Sequence, residues 1–452
     1  MRLLVTNTHS QQAYSIIRAL KPHAERIVAT LSGRPPLGFW PADHAAYSRF
    51  VDARYRVPDP EQDWLVGRIQ ETNTNLEDVF VKRILEICAK EKIDTIFPSS
   101  DAWVYVFSKN KALFEAENIL IPVPDLPTVM TPLDKYLTLR AAGEVGFPCP
   151  ATHLAESDED VRRIASELDP PWVIKLRFTT GSRGMAFVES RDELLEKCRE
   201  TRARHGPPLV QEYIPGQAST SFHVVLDRDK RVIAATKSRA LRRTHMLTGQ
   251  VQSASEIVPI GPIEEKAIAL GQHINWWGGY TLQYKLDPRD GQPKLMEINP
   301  RLGIKLWYRT ELGINEPMMC LQIARGEKVD PVENYPYGCL ILKPFEDLVL
   351  LPLDLVNLAA YRFRTEVLKR HVMDPLVSQL SMENRFGRYW SDYFGKRDRR
   401  VDPYVRYAAE DPMPLVMWTS KLAASALDGF GRSLGRRVSS LVSTKAAEAH
   451  QT

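Results

Sequence analysis

At 452 residues the chain exceeds what one hydrophobic core supports, and about three domains are expected. Apolar residues make up 44 % and charged residues 26 %, the proportions of an ordinary globular protein, and a net charge of +4 does not point to nucleic acid. Five widely spaced cysteines, none in a CxxC pair, argue against a disulfide framework or structural zinc and fit a reducing, cytoplasmic setting.

"RLLVTN" reads as a buried strand and "SQQAYSIIRALKP" as an amphipathic helix, with Ala13, Ile16, Ile17 and Leu20 on one face and Ser10 as N-cap. The apolar run in "MRLLVTNTHSQQ" is too short for a secretory leader. "RIVAT" is a second strand, and "VFVKRILEICAKEKIDTIFPSSD" is a helix followed by a strand. This alternation predicts a parallel α/β domain over 1–113. The first turn, "TNTHSQ", lacks the glycines of a dinucleotide-binding loop.

The prolines of "PVPDLPTVMTPL" mark a linker, and "DKYLTLRAAGEVG" is a helix ending near Gly146. Mostly strands follow from "PPWVIKLRF" to "NPRL", with helices at "SRDELLEKCRETRARHG" and "IEEKAIALGQHINWWG", then a further helix at "NEPMMCLQIARGEKV". Beyond about residue 335 long amphipathic helices are expected. The region from Tyr361 onward carries 16 basic against 10 acidic side chains, a net of +6, which leaves −2 for the preceding residues. "LVLLPLDLVNLAAY" contains Pro352 and Asp354 and is too short to span a bilayer. Within the tail, Leu415, Trp418, Leu422, Ala426, Phe430, Leu434, Val438 and Leu441 recur at helical spacing, with Lys421, Arg432, Arg436 and Arg437 elsewhere on the wheel. Such a helix either packs on the body or another subunit, or lies on an anionic membrane.

Three segments carry chemistry. In "PPWVIKLRFTTGSRGMAFVES" a strand bearing Lys175 leads into a loop whose Gly181 and Gly184 let backbone approach a phosphate, beside Ser182 and Arg183. The structural alternative is a plain glycine hairpin. In "PLVQEYIPGQASTS" a strand ends at Glu212 and exposes backbone groups able to pair with an adenine edge. In "YTLQYKLDPRDGQPKLMEINPRLG" two strands flank a turn. Gln283 lies on the first, and Glu297, Asn299 and Arg301 share one face of the second. A carboxylate and two amides are oxygen donors suited to magnesium completed by water and phosphate, and Arg301 suits a phosphoryl group.

With "DK" at Asp134 and Lys135 upstream, these segments in this order closely resemble the ATP-grasp superfamily over about residues 1–330. The resemblance implies an α/β domain, then an ATP-grasp domain over 114–334 with a lid at about 145–212 and a metal-binding subdomain at about 213–334. A basic, mainly helical region over 335–452 remains. It implies ATP with Mg2+ or Mn2+. Lys135 and Lys175 correspond to the phosphate-contacting lysines, Gly181 to Gly184 to the loop over the phosphates, and Glu212, Tyr213 and Ile214 to the adenine hinge. Glu297 and Asn299 correspond to metal ligands, with Arg301 beside them. Two departures stand out. Most members have an acid where this chain has Gln283, although the carbamoyl-phosphate synthetase large subunit has glutamine there; Asp287 is a substitute to consider. The ribose-binding glutamate is also missing, leaving Gln217 or a nearby serine.

The resemblance implies an ADP-forming carboxylate–amine ligase acting on small molecules through an acyl phosphate, with Lys175 and Arg301 at the reacting centre. Arg239 and Arg243 are candidates to bind a substrate carboxylate. A biotin-carboxylase reading would want acids on both metal strands, and a carbamoyl-phosphate reading a duplicated second half. The competing class is a degenerate ATP-binding protein recruited to a membrane or partner by its tail. Substrate identity and any homo-oligomer are not legible.

Overall fold

The computed structural model describes residues 1–33, 42–61, 73–179, 181, 183–215, 219–246, 249–347, 359, 363–367 and 391–421, with backbone alone at 242–246, 249–251 and 364–365. Strands β1 (Arg2–Val5), β2 (Arg26–Leu31), β3 (Ala53–Arg56) and β4 (Thr95–Phe97) form a parallel sheet in the order β3-β2-β1-β4. Leu4 and Val28 are fully buried, as a parallel sheet covered on both faces requires. The helix Gln11–Leu20 starts where the Ser10 side chain accepts from the Ala13 amide. The helix Asn75–Glu91 starts with a capping box between Thr74 and Glu77. Chain order reverses between β1 and β4, so the loops after their carboxyl ends flank a crevice suited to ligands.

The expected boundary at 113 falls inside this first unit: the helix Lys111–Ala116 runs through it, and Leu120 bridges to Thr95. The proline-rich "linker" contains a helix, Leu126–Leu133. Pro127 lies in its first turn, where an amide proton has no helical acceptor in any case, and Pro132 falls at its end.

A second sheet, β5 (Thr152–Leu154), β6 (Trp172–Lys175), β7 (Ala186–Val188) and β8 (Leu209–Glu212), is antiparallel in the order β5-β8-β6-β7. It has its own core with the helices Asp158–Glu167 and Arg191–His205, built from Val161, Ile164, Trp172, Ile174, Leu194 and Val210.

The third sheet has seven strands: β9 (Ser219–Leu226), β10 (Val232–Met246), β11 (Gly249–Val258), β12 (Gly278–Leu286), β13 (Pro293–Asn299), β14 (Leu340–Leu342) and β15 (Arg399–Val401), ordered β13-β12-β9-β10-β11-β14-β15. Its two faces differ. Phe222, Val224 and Leu282 join a core with Ala141, Ala142, Ala267 and Leu270 of the helices Lys135–Glu144 and Pro262–His273. Their neighbours in the strands, Ser221, His223 and Gln283, point the other way.

The C-terminal expectation needs correcting. The described part of residues 335–452 is mainly helical, as expected, but it is not a separate region. β14 pairs with β11, and β15 pairs in parallel with β14, so both extend the seven-stranded sheet. Three-residue strands are too short to announce a period. "LIL" is buried because it covers the edge that β11 would otherwise leave open. The chain then folds back on the first domain. Tyr404 stacks on Tyr14 at 5.1 Å and shares a 2.6 Å hydrogen bond with His44 Nδ1. Arg18 pairs with Glu410 at 2.8 Å, and Asp411 accepts from the Arg49 amide at 2.9 Å. Residues 412–421 are helical, and Leu415 and Trp418 pack against the core rather than face solvent. The stripe from Leu422 onward lies outside the described residues. Among those described, no helix is long and apolar enough to cross a membrane.

Candidate functional site

The stretch "LMEINPR" occupies β13, whose register against β12 slips by one residue. Leu295 faces Tyr284, and Glu297 faces Gln283, so Met296 is a bulge. The bulge lets Leu295 (0 % exposed) and Ile298 (5 %) both enter the core although three positions separate them. It also puts Glu297 and Asn299 together on the polar face. Asn299 Nδ2 donates to Glu297 Oε1 at 3.3 Å, and Gln283 stands directly opposite Glu297 in the ladder. Gly303 then brings the chain against His223 and Thr281; a Cβ there would lie 2.5 Å from His223 Cε1 and 2.8 Å from Thr281 Oγ1.

Two lysines face this acid. Lys135 opens its helix directly after Asp134, whose carboxylate accepts from the Tyr136 amide at 2.9 Å and pairs with Arg177 of the lid. Lys135 Nζ donates to the Thr179 carbonyl at 2.5 Å, tying the glycine-loop segment to the helix that Lys135 opens. Burial pulls its pKa down, against the opposing pull of Glu297 and Asp101. Lys175, at the end of β6, donates to Gln211 Oε1 at 2.6 Å. Burial first, then the field of Lys135, lowers its pKa to about 8, with Glu297 pulling the other way. Lys135, Thr179, Asp101, Glu297 and Asn299 line a cavity of about 20 Å³, room for one small occupant.

Arg301 reaches across to the first domain. Its Nε lies 2.9 Å from Asp101 Oδ1, and its other nitrogens donate to Asn299 Oδ1 at 3.0 Å and Gln12 Oε1 at 3.4 Å. Asp101, buried at the start of the helix after β4, has its pKa raised by burial, which Arg301 opposes. The expectation that Arg301 stands ready for a phosphoryl group is met by a side chain already held in an ion pair.

The hinge is tied to the β12–β13 turn. Glu212 accepts from the Ala151 amide at 2.8 Å and pairs with Arg289 at 2.8 Å. Arg289 also holds Asp287 through Nε at 2.9 Å. Asp287 is therefore a turn clamp, and its place as a substitute metal ligand is withdrawn. The Ile214 carbonyl accepts from Lys285 at 2.8 Å, and that ammonium lies 5.8 Å from the Tyr213 ring. Gly181 and Gly184 both have positive φ, +65° and +69°. Ser182 and Gln217 lie outside the described residues. Arg239 pairs with Glu256 at 2.9 Å and is half exposed, a surface pairing rather than a pocket contact. Arg243 is on β10, its side chain outside the described residues. Asp101, Gln12, Thr179 and Gln211 are site neighbours that the sequence reading missed. Only the polar "SSD" at the carboxyl end of β4 signalled any of them.

Residues 134–330 match the family model for the carbamoyl-phosphate synthase L chain, ATP binding domain. The N-terminal section of the carbamoyl phosphate synthase large chain of Methanopyrus kandleri is 21 % identical over 279 residues, covering 58 % of this chain and 49 % of that one. The large chain of Thermomicrobium roseum is 27 % identical over 209 residues, covering 44 % of this chain and 19 % of that one. This chain thus spans half or less of these curated relatives, down to 10 % of the multifunctional protein pyrABCN of Emericella nidulans. Among solved structures, a biotin carboxylase–βγ-ATP complex from Campylobacter jejuni superposes with a TM-score of 0.60 at 16 % identity, covering 75 % of this chain and 74 % of that one. The biotin carboxylase domain dimer of the Hydrogenobacter thermophilus 2-oxoglutarate carboxylase, in complex with MgADP, ADP and bicarbonate, gives 0.59 at 16 %, covering 75 % and 73 %. Fold, motif order and family model agree on an ATP-binding domain of ATP-grasp type over residues 134–330.

Proposed function

We propose that the chain is an ATP- and magnesium-dependent, ADP-forming ligase that joins a carboxylate to an amine through an acyl phosphate. The observation that carries this reading is the set of Glu297, Asn299 and Gln283 on one sheet face, within electrostatic reach of Lys135 and Lys175. The donor set fits a hard cation: one carboxylate and two amide oxygens beside a small cavity, too few to chelate an ion alone and therefore suited to one that arrives with nucleotide phosphates. Glu297, Asn299 and Gln283 would hold Mg2+ (Mn2+ as substitute), which supplies charge neutralisation at the phosphates when bound. Lys135 and Lys175 add positive charge there in a partly dry site, where it acts more strongly than in water. Thr179 and the loop from Gly181 to Gly184 exclude water from the intermediate. Glu212, Tyr213 and Ile214 supply the adenine edge.

Bicarbonate remains the second carboxyl donor to try, because a structural neighbour is described with that anion. The non-catalytic alternative, a nucleotide-binding protein recruited by its tail, has its outcome in the same assay. Pools of carboxylic acids and amines, with and without bicarbonate, are incubated with Mg-ATP, and ADP release is followed with Glu297→Gln as control. Acid- and amine-dependent ADP release, absent in the variant, supports the ligase. Nucleotide binding without turnover in any pool favours the recruited binder.

A further inference from the structure

The carboxyl edge of the first parallel sheet faces the metal strand, and several of its polar groups are unspent. Asn7 (3 % exposed) follows β1 with φ +55°, and its Oδ1 has no hydrogen-bond partner among the described residues. The same holds for Ser100 Oγ after β4 and for Ser32 Oγ after β2, each 9 % exposed. A buried polar atom left in this state is costly until a partner satisfies it. Three on adjacent strand ends mark a surface awaiting a hydrogen-bonding molecule.

The charge there is negative. Glu61 lies 3.4 Å from Asn7 Nδ2, and its own amide donates to Asp59 Oδ1 at 3.0 Å. Burial raises the pKa of Asp59 to about 7, with Glu61 adding to the rise and Arg183 of the lid opposing it. Glu61 also acts on Asp101, which joins this crevice to Glu297. Two cations stand within electrostatic reach of these acids, Lys421 of Glu61 and Arg183 of Asp59. Arg301 pairs with Asp101, and Lys421 donates to the His9 carbonyl at 3.3 Å. Burial lowers His9 to about 4, which leaves the ring neutral at pH 7. Asp43 spends its carboxylate on the Ser32 and Gly33 amides. No three acids or histidines converge on one point among the described residues, so the carboxylates do not form a cage for a metal ion.

We propose that this crevice binds the amine-bearing substrate, with its ammonium group between Glu61 and Asp59 and its polar body on Asn7 and Ser100. The assignment of this molecule as the acyl acceptor rests on the ligase reading above; ammonium binding as such does not. A cation here also balances acids that would otherwise face the nucleotide phosphates across Asp101.

The test uses the full chain in thermal-shift titrations, with and without a non-hydrolysable ATP analogue and Mg2+. Ethylamine, putrescine and glycinamide are the ammonium probes; acetate and inorganic phosphate are the anionic probes. A saturable rise in Tm with ammonium probes is expected. Its half-point should move up about tenfold or more in Glu61→Gln and in Asp59→Asn, the loss expected for a charged hydrogen bond. The shift produced by the ATP analogue reports that each variant is folded. Protection by the anionic probes instead, no ammonium response up to tens of millimolar, or equal response of wild type and both variants overturns the proposal. Wild type that binds amines but not nucleotide keeps the crevice and sinks the ligase reading; the reverse keeps the ligase reading and sinks the crevice.

Discussion

Lys175 gives the sharpest test of the site, because its environment makes stability and nucleotide affinity respond to pH in opposite directions. Its pKa in the folded chain is about 8 against an ordinary 10.5. The folded state therefore disfavours the charged lysine by about 3 kcal/mol at neutral pH. This penalty is full below pH 8 and fades as pH rises toward 10.5, since the unfolded chain there holds more protons than the folded one. Relative to Lys175→Met, wild type should gain about 2 kcal/mol of stability between about pH 7 and about pH 9.5. Affinity for Mg-ATP runs the other way. Phosphate selects the charged lysine, and at about pH 9.5 only a few per cent of it remains in the free protein. Wild-type affinity should drop about 30-fold over that interval, and Lys175→Met should lack that drop. Urea denaturation of the free protein and calorimetric titration with an ATP analogue measure the two arms. Comparison with the variant removes the contributions of other groups. Parallel pH profiles for wild type and variant in both assays would mean that Lys175 is an ordinary surface lysine and would remove it from the site.

Four further outcomes follow from the geometry. Glu297→Gln should cut ADP formation at least about 100-fold, since the one charged donor of the proposed set is lost. Its Tm should fall modestly: the hydrogen bond to Asn299 is a 3.3 Å contact, but the carboxylate also favours the charged forms of Lys135 and Lys175. Gly303→Ala should destabilise the chain by about 1–3 kcal/mol in urea, because the new methyl meets buried His223 and Thr281 at 2.5–2.8 Å. Tyr404→Phe keeps the stacking on Tyr14 but loses the bond to His44; a loss of about 1 kcal/mol is expected, and an unchanged midpoint would show that the C-terminal return is not anchored there. Leu295→Ala should cost about 2–5 kcal/mol and, by loosening the bulge, weaken nucleotide binding as well.

What could be read in advance was local. Ser10 as a cap, the helix after Asp134 and the shared face of Glu297, Asn299 and Arg301 follow from spacing within one segment, and the structure has them. The imperfect alternation of Leu295 and Ile298 was visible, but its cause was not. A bulge is defined by the partner strand, and β12 supplies it. β14 and β15 escaped for the same reason: a three-residue strand gets its identity from the edge it covers. Asp287 looked like a free carboxylate because its clamp, Arg289, becomes meaningful only when the turn closes and Glu212 comes alongside. Asp101 gave almost no signal, since its role depends on a residue 200 positions away.

That last contact decides what Arg301 is for. In the described structure it is a strut: Asp101 and Gln12 belong to the first domain and Asn299 to β13, and Arg301 forms an ion pair with Asp101 and donates to the other two. The proposed reaction asks the same guanidinium to meet a phosphoryl group. Both roles are compatible only if nucleotide draws Arg301 away from Asp101, and a double-mutant cycle can see this. Arg301→Gln and Asp101→Asn, alone and combined, should show a coupling of about 1–3 kcal/mol in urea without ligand, as contacting charged residues do. With the ATP analogue and Mg2+ saturating, the coupling should shrink by half or more, because the arginine now divides its charge between phosphate and carboxylate. A coupling that is the same with and without nucleotide identifies Arg301 as a domain strut, and the positive charge at the reacting centre must then come from Lys135 and Lys175 alone.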